Sequence, residues 1–272
     1  MQATLRDVSP QELFVDQKVL PKTKFSVIMP IYNGGLAAGE KVLAAVKKWE
    51  SLTDDFEIIV VDDGSTDSTH KALSAIRDER VNFVSYAPNK GKGAAILHGF
   101  KYVRGNIVIF ADGDLEALPI YFKDYIQTLD EADIVVASKR ARGAQVYAGS
   151  KRKFLSAVFN TFVKILLPIS VSDTQAGFKV FRRSALDRIL PLISVKRYAF
   201  DVELLAMAKL LNLKVAELPA KVSLGSDFDA QEILRMLLDL LGIAYRYRIR
   251  CWYQKSIVAS NEEAYAPLLR LR

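Results

Sequence analysis

Short runs of Val, Ile and Phe alternate with segments of helical spacing over the first half of the chain, and this alternation constrains the fold most. Strands are predicted at residues 25–29, 57–61, 81–86, 106–111 and 133–137. Helices are predicted at residues 39–49, from Asp67 or Ser68 to about Asp78, at residues 92–103, and from Pro119 to about Leu129. Because such runs are typical of strands covered on both faces, and strand–helix–strand alternation indicates crossovers, we predict an α/β fold with a mostly parallel sheet flanked by helices.

The pattern changes after Ser138. We predict a long helix from Arg152, a short strand at residues 178–181, helices from Ser184 and Phe200, an extended segment at residues 214–222, and a final basic helix over residues 230–253. These changes divide the chain into an N-terminal extension (residues 1–23), one α/β domain (24–228) and a peripheral amphipathic helical C-terminus (229–272).

Aspartates follow two of the apolar runs, Asp63 after the second strand and Asp112 and Asp114 after the fourth. In open α/β sheets, ligands bind outside the carboxyl ends of the strands. Two carboxylates one residue apart are costly unless a cation neutralises them. The simplest ligand that needs both is a divalent metal carrying a diphosphate, which predicts an enzyme that uses a nucleotide-sugar.

Two other loops have suitable chemistry for such a ligand. Tyr32 and Asn33, at the exit of the first strand, are able to stack on a base and to hydrogen-bond it. Residues 89–94 form a glycine-rich turn before a helix, where backbone N–H groups could approach a phosphate and Lys90 or Lys92 would add charge. The turn matches neither a P-loop nor a dinucleotide fingerprint. Asp67 is interpreted as a helix cap.

Charge and composition narrow the partners. The net charge of +7 is concentrated in basic clusters at residues 139–142, 151–153 and 246–250, all beside apolar or aromatic residues. This arrangement favours a membrane surface or a lipid phosphate over nucleic acid, for which no binding motif is present. The single cysteine, Cys251, excludes an intrachain disulfide and fits a reducing compartment. We see no secretory signal. We also find no charge-free apolar stretch of about 18 residues, so a membrane-spanning helix is not expected.

The order of the motifs resembles the family-2 glycosyltransferases with a glycosyltransferase-A (GT-A) fold, and more closely the dolichyl- or polyprenyl-phosphate mannose and glucose synthases. The resemblance covers about residues 24–253. The matching segments are Pro30-Ile31-Tyr32-Asn33, Asp62-Asp63-Gly64-Ser65-Thr66-Asp67, Asn89-Lys90-Gly91-Lys92-Gly93-Ala94, Asp112-Gly113-Asp114, Asp173-Thr174-Gln175-Ala176-Gly177-Phe178-Lys179 and Ala199-Phe200-Asp201-Val202-Glu203-Leu204-Leu205.

This resemblance implies an inverting, metal-dependent transfer of a hexose and a role for each matching residue. Asp112 and Asp114 would hold Mg²⁺ or Mn²⁺, with Asp114 counted among the catalytic residues. The implied nucleotide-sugar contacts are Pro30, Tyr32, Asn33, Asp63, Lys90, Lys92, Gly93, Asp112 and Gly113. The implied contacts of an acceptor phosphate are Ser138, Lys139, Arg140, Ser150 and Arg152, with Arg140 the catalytic one. The donor, GDP-mannose or UDP-glucose, stays open.

The acceptor decides whether a base is needed. A polyprenyl or dolichyl phosphate is already a nucleophilic dianion, because its second pKa lies near ~6. A glycolipid or sugar hydroxyl would instead need a carboxylate base, and Asp201 stands where the wider family places one; capping the following helix is its other interpretation. A non-catalytic nucleotide-sugar-binding subunit is a second alternative, and a sugar-1-phosphate nucleotidyltransferase is disfavoured because residues 33–36 lack its basic loop.

Two departures from the related synthases bear on the lipid. Gly225-Ser226-Asp227 stands where relatives often have Gly-Ser-Lys, and C-terminal spanning helices are lacking. We therefore expect a peripheral protein at the cytoplasmic membrane face, with a membrane-anchor subunit as a candidate partner. The helices at residues 154–171 and 239–253 would meet the lipid. Their expected contacts are Arg246, Arg248 and Arg250 with head groups and Tyr245, Tyr247, Trp252 and Tyr253 in an interfacial belt.

Overall fold

A seven-stranded sheet lies at the centre of the protein. The computed structural model describes residues 24–111, 122–147, 149–197, 199–223 and 230–258. The strands of this sheet are β1 (Phe25–Ile31), β2 (Phe56–Asp63), β3 (Val81–Tyr86), β4 (Ile107–Phe110), β5 (Ile134–Ser138), β7 (Lys179–Arg182) and β8 (Val215–Pro219). Their order across the sheet is β3-β2-β1-β4-β7-β5-β8. Two further strands, β6 (Gln145–Tyr147) and β9 (Lys221–Ser223), pair in a small parallel sheet of their own.

Helices cover both faces of the large sheet. They are α1 (Ala37–Glu50), α2 (Thr69–Ser74), α3 (Lys92–Phe100), α4 (Phe122–Thr128), α5 (Ser150–Leu166), α6 (Arg183–Ile189), α7 (Phe200–Leu210) and α8 (Ala230–Ala244). A 3₁₀ turn at Leu190–Leu192 follows α6, a π-helical turn at Tyr245–Ile249 follows α8, and residues 252–258 are helical.

The alternation of side chains along the strands produces two apolar cores. In β1, Phe25, Val27 and Met29 face the core under α1 and α4, while Ile28 faces the core under α3, α5, α7 and α8. This alternation follows the two-residue period of a strand, and burial on both faces explains why the strands are almost continuously apolar. Helix α7 lies deepest, with every residue from Phe200 to Ala208 buried.

The prediction of a mostly parallel α/β sheet is confirmed. Strands β3, β2, β1 and β4 pair in parallel, as do β5 and β8. Among the strands in the described part of the chain, only β7 runs against its neighbours, pairing antiparallel with both β4 and β5. Because β7 enters from the opposite direction, Lys179 at its beginning lies at the same edge as the carboxyl ends of β4 and β5. The fold therefore brings the Asp173–Lys179 motif to the edge where the other motifs lie.

The predicted C-terminal end of the second helix is wrong, whereas its predicted start is confirmed. Helix α2 ends at Ser74 rather than near Asp78, because the Asp78 carboxylate accepts from the backbone N–H of Arg80 at 2.9 Å and turns the chain into β3. Two residues contribute to the N-terminal cap of α2. Ser68 occupies the N-cap position, but it is the Asp67 carboxylate that accepts from the N–H of Thr69 at 3.0 Å.

The predicted continuous final helix is interrupted. Helix α8 stops at Ala244, and Cys251, with φ of +48°, separates the π-helical turn from the helical residues 252–258. A continuous helix would place residues 246 and 253 about 10 Å apart along its axis. Instead, Nε of Arg246 donates to the Tyr253 hydroxyl at 3.0 Å. The break lets both side chains reach the same buried partner, Glu203.

Candidate functional site at the carboxyl edge of the sheet

The exits of β1 and β2 are joined at the carboxyl edge of the sheet. Asn33 adopts φ of +49°, its N–H donates to the Ser65 hydroxyl at 3.0 Å, and its side-chain oxygen accepts from the N–H of Thr66 at 2.9 Å. Pro30 lies within β1 beside Val61, and Tyr32 is 51% exposed. The amide oxygen of Asn33 thus holds the loop, while the ring of Tyr32 is available to a ligand above the edge.

Asp63 holds the loop that follows β3 through hydrogen bonds. Its buried carboxylate accepts four hydrogen bonds, from the Tyr86 hydroxyl at 2.6 Å, Nδ2 of Asn89 at 2.9 Å, and the backbone N–H groups of Lys90 and Gly91 at 2.9 and 2.8 Å. Burial and the bond to Asp63 raise the pKa of Tyr86, so its hydroxyl remains a donor. Sequence reasoning assigned Asp63 to the nucleoside; the geometry adds a structural role that it did not predict.

The glycine-rich turn uses several of its backbone donors internally. The N–H groups of Lys90 and Gly91 bind Asp63, and that of Ala94 donates to the Lys196 carbonyl at 3.1 Å. These three N–H groups are therefore already bonded within the protein, and the approach of the turn's backbone to a phosphate stays a prediction. Gly93 has a packing role, since a Cβ there would lie 2.6 Å from the Phe200 ring. Glycine allows the start of α3 to contact the start of α7.

The two lysines of this turn are held differently. The Lys90 ammonium lies 5.0 Å from the centre of the Tyr86 ring. The Lys92 ammonium donates to Oδ2 of Asp201 at 3.3 Å, and its side chain is 30% exposed. Both therefore present positive charge at the edge predicted to hold a diphosphate.

Asp201 is an ion-pair partner and not a helix cap. Ala199 is the N-cap of α7, which has no side-chain cap hydrogen bond, so the capping interpretation is wrong. Oδ1 of Asp201 accepts from the buried ammonium of Lys179 at 2.7 Å, opposite the bond from Lys92 to Oδ2. Burial would raise the pKa of Asp201, but the charges of Lys179 and Lys92 outweigh it and keep the pKa below its usual value.

The predicted acceptor-phosphate residues follow β5. Ser138 is fully buried, and its hydroxyl pairs with that of Ser172 at 3.1 Å and accepts from the N–H of Arg140 at 3.1 Å. Lys139 binds Asp173 through its N–H at 2.9 Å and its ammonium at 3.3 Å. Arg140 is exposed, with Nη2 3.4 Å from the Ser156 carbonyl. Ser138 therefore supports the loop, and Arg140 is the residue best placed to meet an anion from solvent.

Other predicted residues are described only in part. Ser150 and Arg152 lie in the first turn of α5, next to Lys153, and their side chains fall outside the described part of the structure. Asp112, Gly113 and Asp114, and also Gly225-Ser226-Asp227, lie outside the described residues altogether. Ala111, the last residue described before the aspartates, donates to the carbonyl of Ile28 in the neighbouring strand β1 at 3.1 Å.

Two acidic residues that bind backbone N–H groups, half-buried Glu217 and buried Glu203, were not predicted individually. Glu217 on β8 accepts from the N–H groups of Ser172 and Asp173 and from the Ser172 hydroxyl, at 2.8, 3.1 and 2.7 Å. Glu203 on α7 accepts from the N–H groups of Ser194 and Val195. A charged residue within an otherwise apolar run, as at Lys179 and Glu203, was the available sequence signal.

These features define a class of protein. The sheet is mostly parallel, and its carboxyl edge carries an exposed aromatic ring, lysines and a basic loop, with paired aspartates following β4 in sequence. This combination is that of a GT-A glycosyltransferase. The chain belongs to glycosyl transferase family 2, whose family model matches residues 26–190.

Curated relatives cover most of the chain. A dolichyl-phosphate beta-glucosyltransferase of Dictyostelium discoideum is 31% identical over an alignment of 256 residues that covers 85% of this chain and 77% of the relative. A dolichyl-phosphate beta-glucosyltransferase of Trichomonas vaginalis is 32% identical over 243 residues, covering 84% of this chain and 75% of the relative.

Solved structures share the fold. Glucosyl-3-phosphoglycerate synthase from Mycobacterium tuberculosis in complex with phosphoglyceric acid has a TM-score of 0.63 and 21% identity, covering 89% of this chain and 85% of the other. The same protein in complex with Mn²⁺, UDP and glucosyl-3-phosphoglycerate has a TM-score of 0.62 and 22% identity, covering 90% and 85%. These likenesses confirm the GT-A architecture.

Proposed function

We propose that this protein transfers glucose from UDP-glucose to a dolichyl-type polyprenyl phosphate, with inversion at the anomeric carbon. Two relatives at 31% and 32% identity, each matched over more than four-fifths of this chain, are dolichyl-phosphate beta-glucosyltransferases. Of the two donors that the sequence left open, these relatives favour UDP-glucose over GDP-mannose. The fold neighbour that was solved in complex with UDP and Mn²⁺ supports a uridine nucleotide as part of the donor.

The ion pairs of Asp201 are the observation that favours one class of acceptor over the other. Its carboxylate is held between two ammonium groups, at 2.7 Å and 3.3 Å, and its lowered pKa makes it a weak proton acceptor. An acceptor hydroxyl would need a base, whereas a phosphate dianion attacks without one. The geometry therefore favours a lipid phosphate over the sugar hydroxyl that the alternative hypothesis required.

Each group of residues has a distinct task in this reaction. The ring of Tyr32 would stack on the base, and Lys90 and Lys92 would hold the diphosphate. Arg140 would hold the acceptor phosphate, with Lys139 fixed beside it by Asp173. A planar guanidinium suits a phosphate because it offers two parallel donors. Holding both substrates in place lowers the entropic part of the barrier.

The predicted metal ligands are Asp112 and Asp114. Two carboxylates offer the oxygen donors that Mg²⁺ and Mn²⁺ prefer, and in the sequence they follow directly after Ala111, which bonds to β1. When bound, such a metal would offset the charge that develops on the departing nucleoside diphosphate.

The acceptor and donor can be tested together. We expect glucose transfer from UDP-glucose to dolichyl phosphate in the presence of Mn²⁺, and no transfer to dolichol, which has the same chain but a hydroxyl in place of the phosphate. Separation of radiolabelled lipid products would measure both. Equal transfer to dolichol would contradict the phosphate acceptor, and a preference for GDP-mannose would contradict the donor.

An exposed apolar stripe supports the membrane part of the proposal. On α5, Phe154, Phe162 and Ile165 are 68, 47 and 66% exposed. The exposed large apolar residues of the C-terminal segment (residues 230–258) include Leu234, Leu238, Leu241, Tyr245, Ile249 and Trp252. Between α5 and α8 lies a cavity of about 70 Å³, lined mainly by apolar residues, including Phe159, Phe162, Met236 and Leu237. Large exposed apolar surfaces of this kind mark contacts with lipid or protein.

The structure corrects two of the predicted lipid contacts. Tyr253 is fully buried, and Arg246 turns inward to Tyr253 and Glu203. Arg248 donates to the Leu166 carbonyl at 2.6 Å at the end of α5, and Arg250 is exposed. Tyr245 and Trp252 remain exposed candidates for an interfacial belt. Within the described ranges, no helix combines the length and apolar content needed to cross a bilayer.

Replacing Phe154 and Ile165 together by Ser is expected to reduce flotation with anionic liposomes severalfold, because both apolar side chains would leave the lipid contact. Sedimentation in a sucrose gradient would measure the bound fraction. Leu43→Ser, on the exposed side of α1, is the matched control and is expected to float like the unmodified protein. Unchanged flotation of the double variant would exclude α5 from the membrane contact.

A further inference from the structure

Lys179 is the least expected charged residue of the structure. It begins β7 with no exposed surface, and its ammonium donates to Oδ1 of Asp201 at 2.7 Å and to the Ala176 carbonyl. Burying a lysine costs several kcal/mol of desolvation, which only a well-placed partner can repay. An apolar residue of similar size would fill the same space without that cost. The position of this charge therefore suggests a purpose beyond packing.

The partner of Lys179 faces the donor edge. The second oxygen of Asp201 accepts from the Lys92 ammonium at 3.3 Å, and Lys92 is the first residue of α3, directly after the glycine-rich turn. The contact between Gly93 and Phe200 sets α3 against α7 at this same point. Three charges thus form a row from the core to the surface: a fully buried cation, a buried anion and a partly exposed cation.

We propose that Lys179 and Asp201 are positioning residues, which hold the ammonium of Lys92 toward the diphosphate of the nucleotide-sugar. This inference rests on the proposed function, because it assigns a role at the same donor site. Asp201 acts on the donor through Lys92 and does not take a proton from the acceptor. Lys179 fixes the carboxylate from behind.

The physical basis of this role is preorganisation. A free lysine side chain loses rotamer entropy when its ammonium is fixed against a ligand. The bond to Asp201 restricts that freedom before the donor arrives. Lys179 is needed because it counters the desolvation of Asp201 and because its bond to Oδ1 leaves Oδ2 directed to Lys92. Removing Lys179 should therefore weaken the hold on Lys92 even though the two lysines lie on different elements.

The test compares two ligands that differ only in the diphosphate. Dissociation constants of UDP and of uridine would be measured by calorimetry with Mn²⁺ for the unmodified protein, Lys92→Met, Asp201→Asn and the double variant. We expect UDP to bind about tenfold more weakly to each single variant, which corresponds to about 1.4 kcal/mol. Uridine affinity should not change. The double variant should be no weaker than Lys92→Met alone, because both changes remove one interaction.

A second variant guards against misfolding. Asp201→Asn leaves Lys179 buried without its anion, whereas Lys179→Met combined with Asp201→Asn removes both buried charges. This double variant is expected to weaken UDP binding as much as Asp201→Asn alone does. Lys101→Met, an exposed lysine at the end of α3, controls for the loss of one positive charge and should bind UDP normally.

The outcomes separate this inference from the proposed function. If the unmodified protein binds neither UDP nor UDP-glucose, the proposed donor is wrong. Suppose instead that the unmodified protein binds UDP, and that Asp201→Asn, alone and combined with Lys179→Met, binds UDP equally well but has a lower kcat. Asp201 then acts as a base, and the positioning role is overturned. Additive losses in the double variant of Lys92 and Asp201 would likewise overturn the coupling between them.

Discussion

Replacing Asp114 with Asn is expected to slow glucose transfer by about a hundredfold or more, the scale seen when one electrostatic contact of a transition state is lost. Asn keeps the shape of the side chain but removes a charge, so the paired carboxylates that favour a divalent cation become a single one. The departing UDP would then carry its developing negative charge with less compensation. The rate would be measured with UDP-glucose and dolichyl phosphate at saturating Mn²⁺.

Two controls make this result specific to the metal. Asp130→Asn, an exposed aspartate before β5 at the opposite edge of the sheet, removes the same charge and should leave the rate unchanged. Treatment of the unmodified protein with EDTA should reproduce the loss, and added Mn²⁺ should restore it. Full activity of Asp114→Asn in the presence of EDTA would show that transfer needs no divalent metal.

Replacing Glu203 with Ala is expected to lower the free energy of unfolding by about 3–5 kcal/mol, the usual effect of removing one partner from a buried charge pair. The Glu203 carboxylate is fully buried and accepts from the Ser194 N–H and hydroxyl, the Val195 N–H, and the Tyr253 hydroxyl. Nη2 of Arg246 lies 3.5 Å away. Alanine would leave these donors without their acceptor and open a cavity.

Urea unfolding followed by circular dichroism would measure this loss. Glu131→Ala, on an exposed turn before β5, is expected to change the free energy of unfolding by less than about 0.5 kcal/mol. Glu203→Gln keeps one oxygen acceptor and should lie between the two. If Glu203→Ala were as stable as Glu131→Ala, the link between α7 and the C-terminal segment would contribute nothing to stability.

The sequence predicted the elements of the fold better than their arrangement. The runs that became β1, β2 and β4 are apolar because both faces are covered, and this pattern is visible without a structure. The direction of β7 is not visible, because four residues of Lys-Val-Phe-Arg read alike in either orientation. Strands β6 and β9 were missed as separate elements, since three-residue strands have too little periodicity to detect.

The candidate site was likewise predicted only in part from the sequence. Residue types at the strand ends predicted a donor site at the carboxyl edge of the sheet, and Lys92 and Arg140 lie where an anion could reach them. The sequence could not show which polar groups are already satisfied inside the protein. Asp63 was assigned to the nucleoside, yet its carboxylate accepts from four donors, two of them backbone N–H groups of the glycine-rich turn at residues 89–94. Long-range partners such as Asp201 and Lys179 depend on the antiparallel entry of β7, which local patterns do not encode.

The break after the π-helical turn has a practical consequence for spectroscopy. Cys251 is the only cysteine of the chain and is exposed at this break, one residue before Trp252. A thiol-reactive fluorophore would therefore attach at a single position without any prior mutagenesis. Its emission would report directly on the polarity around the C-terminal segment as vesicles are added.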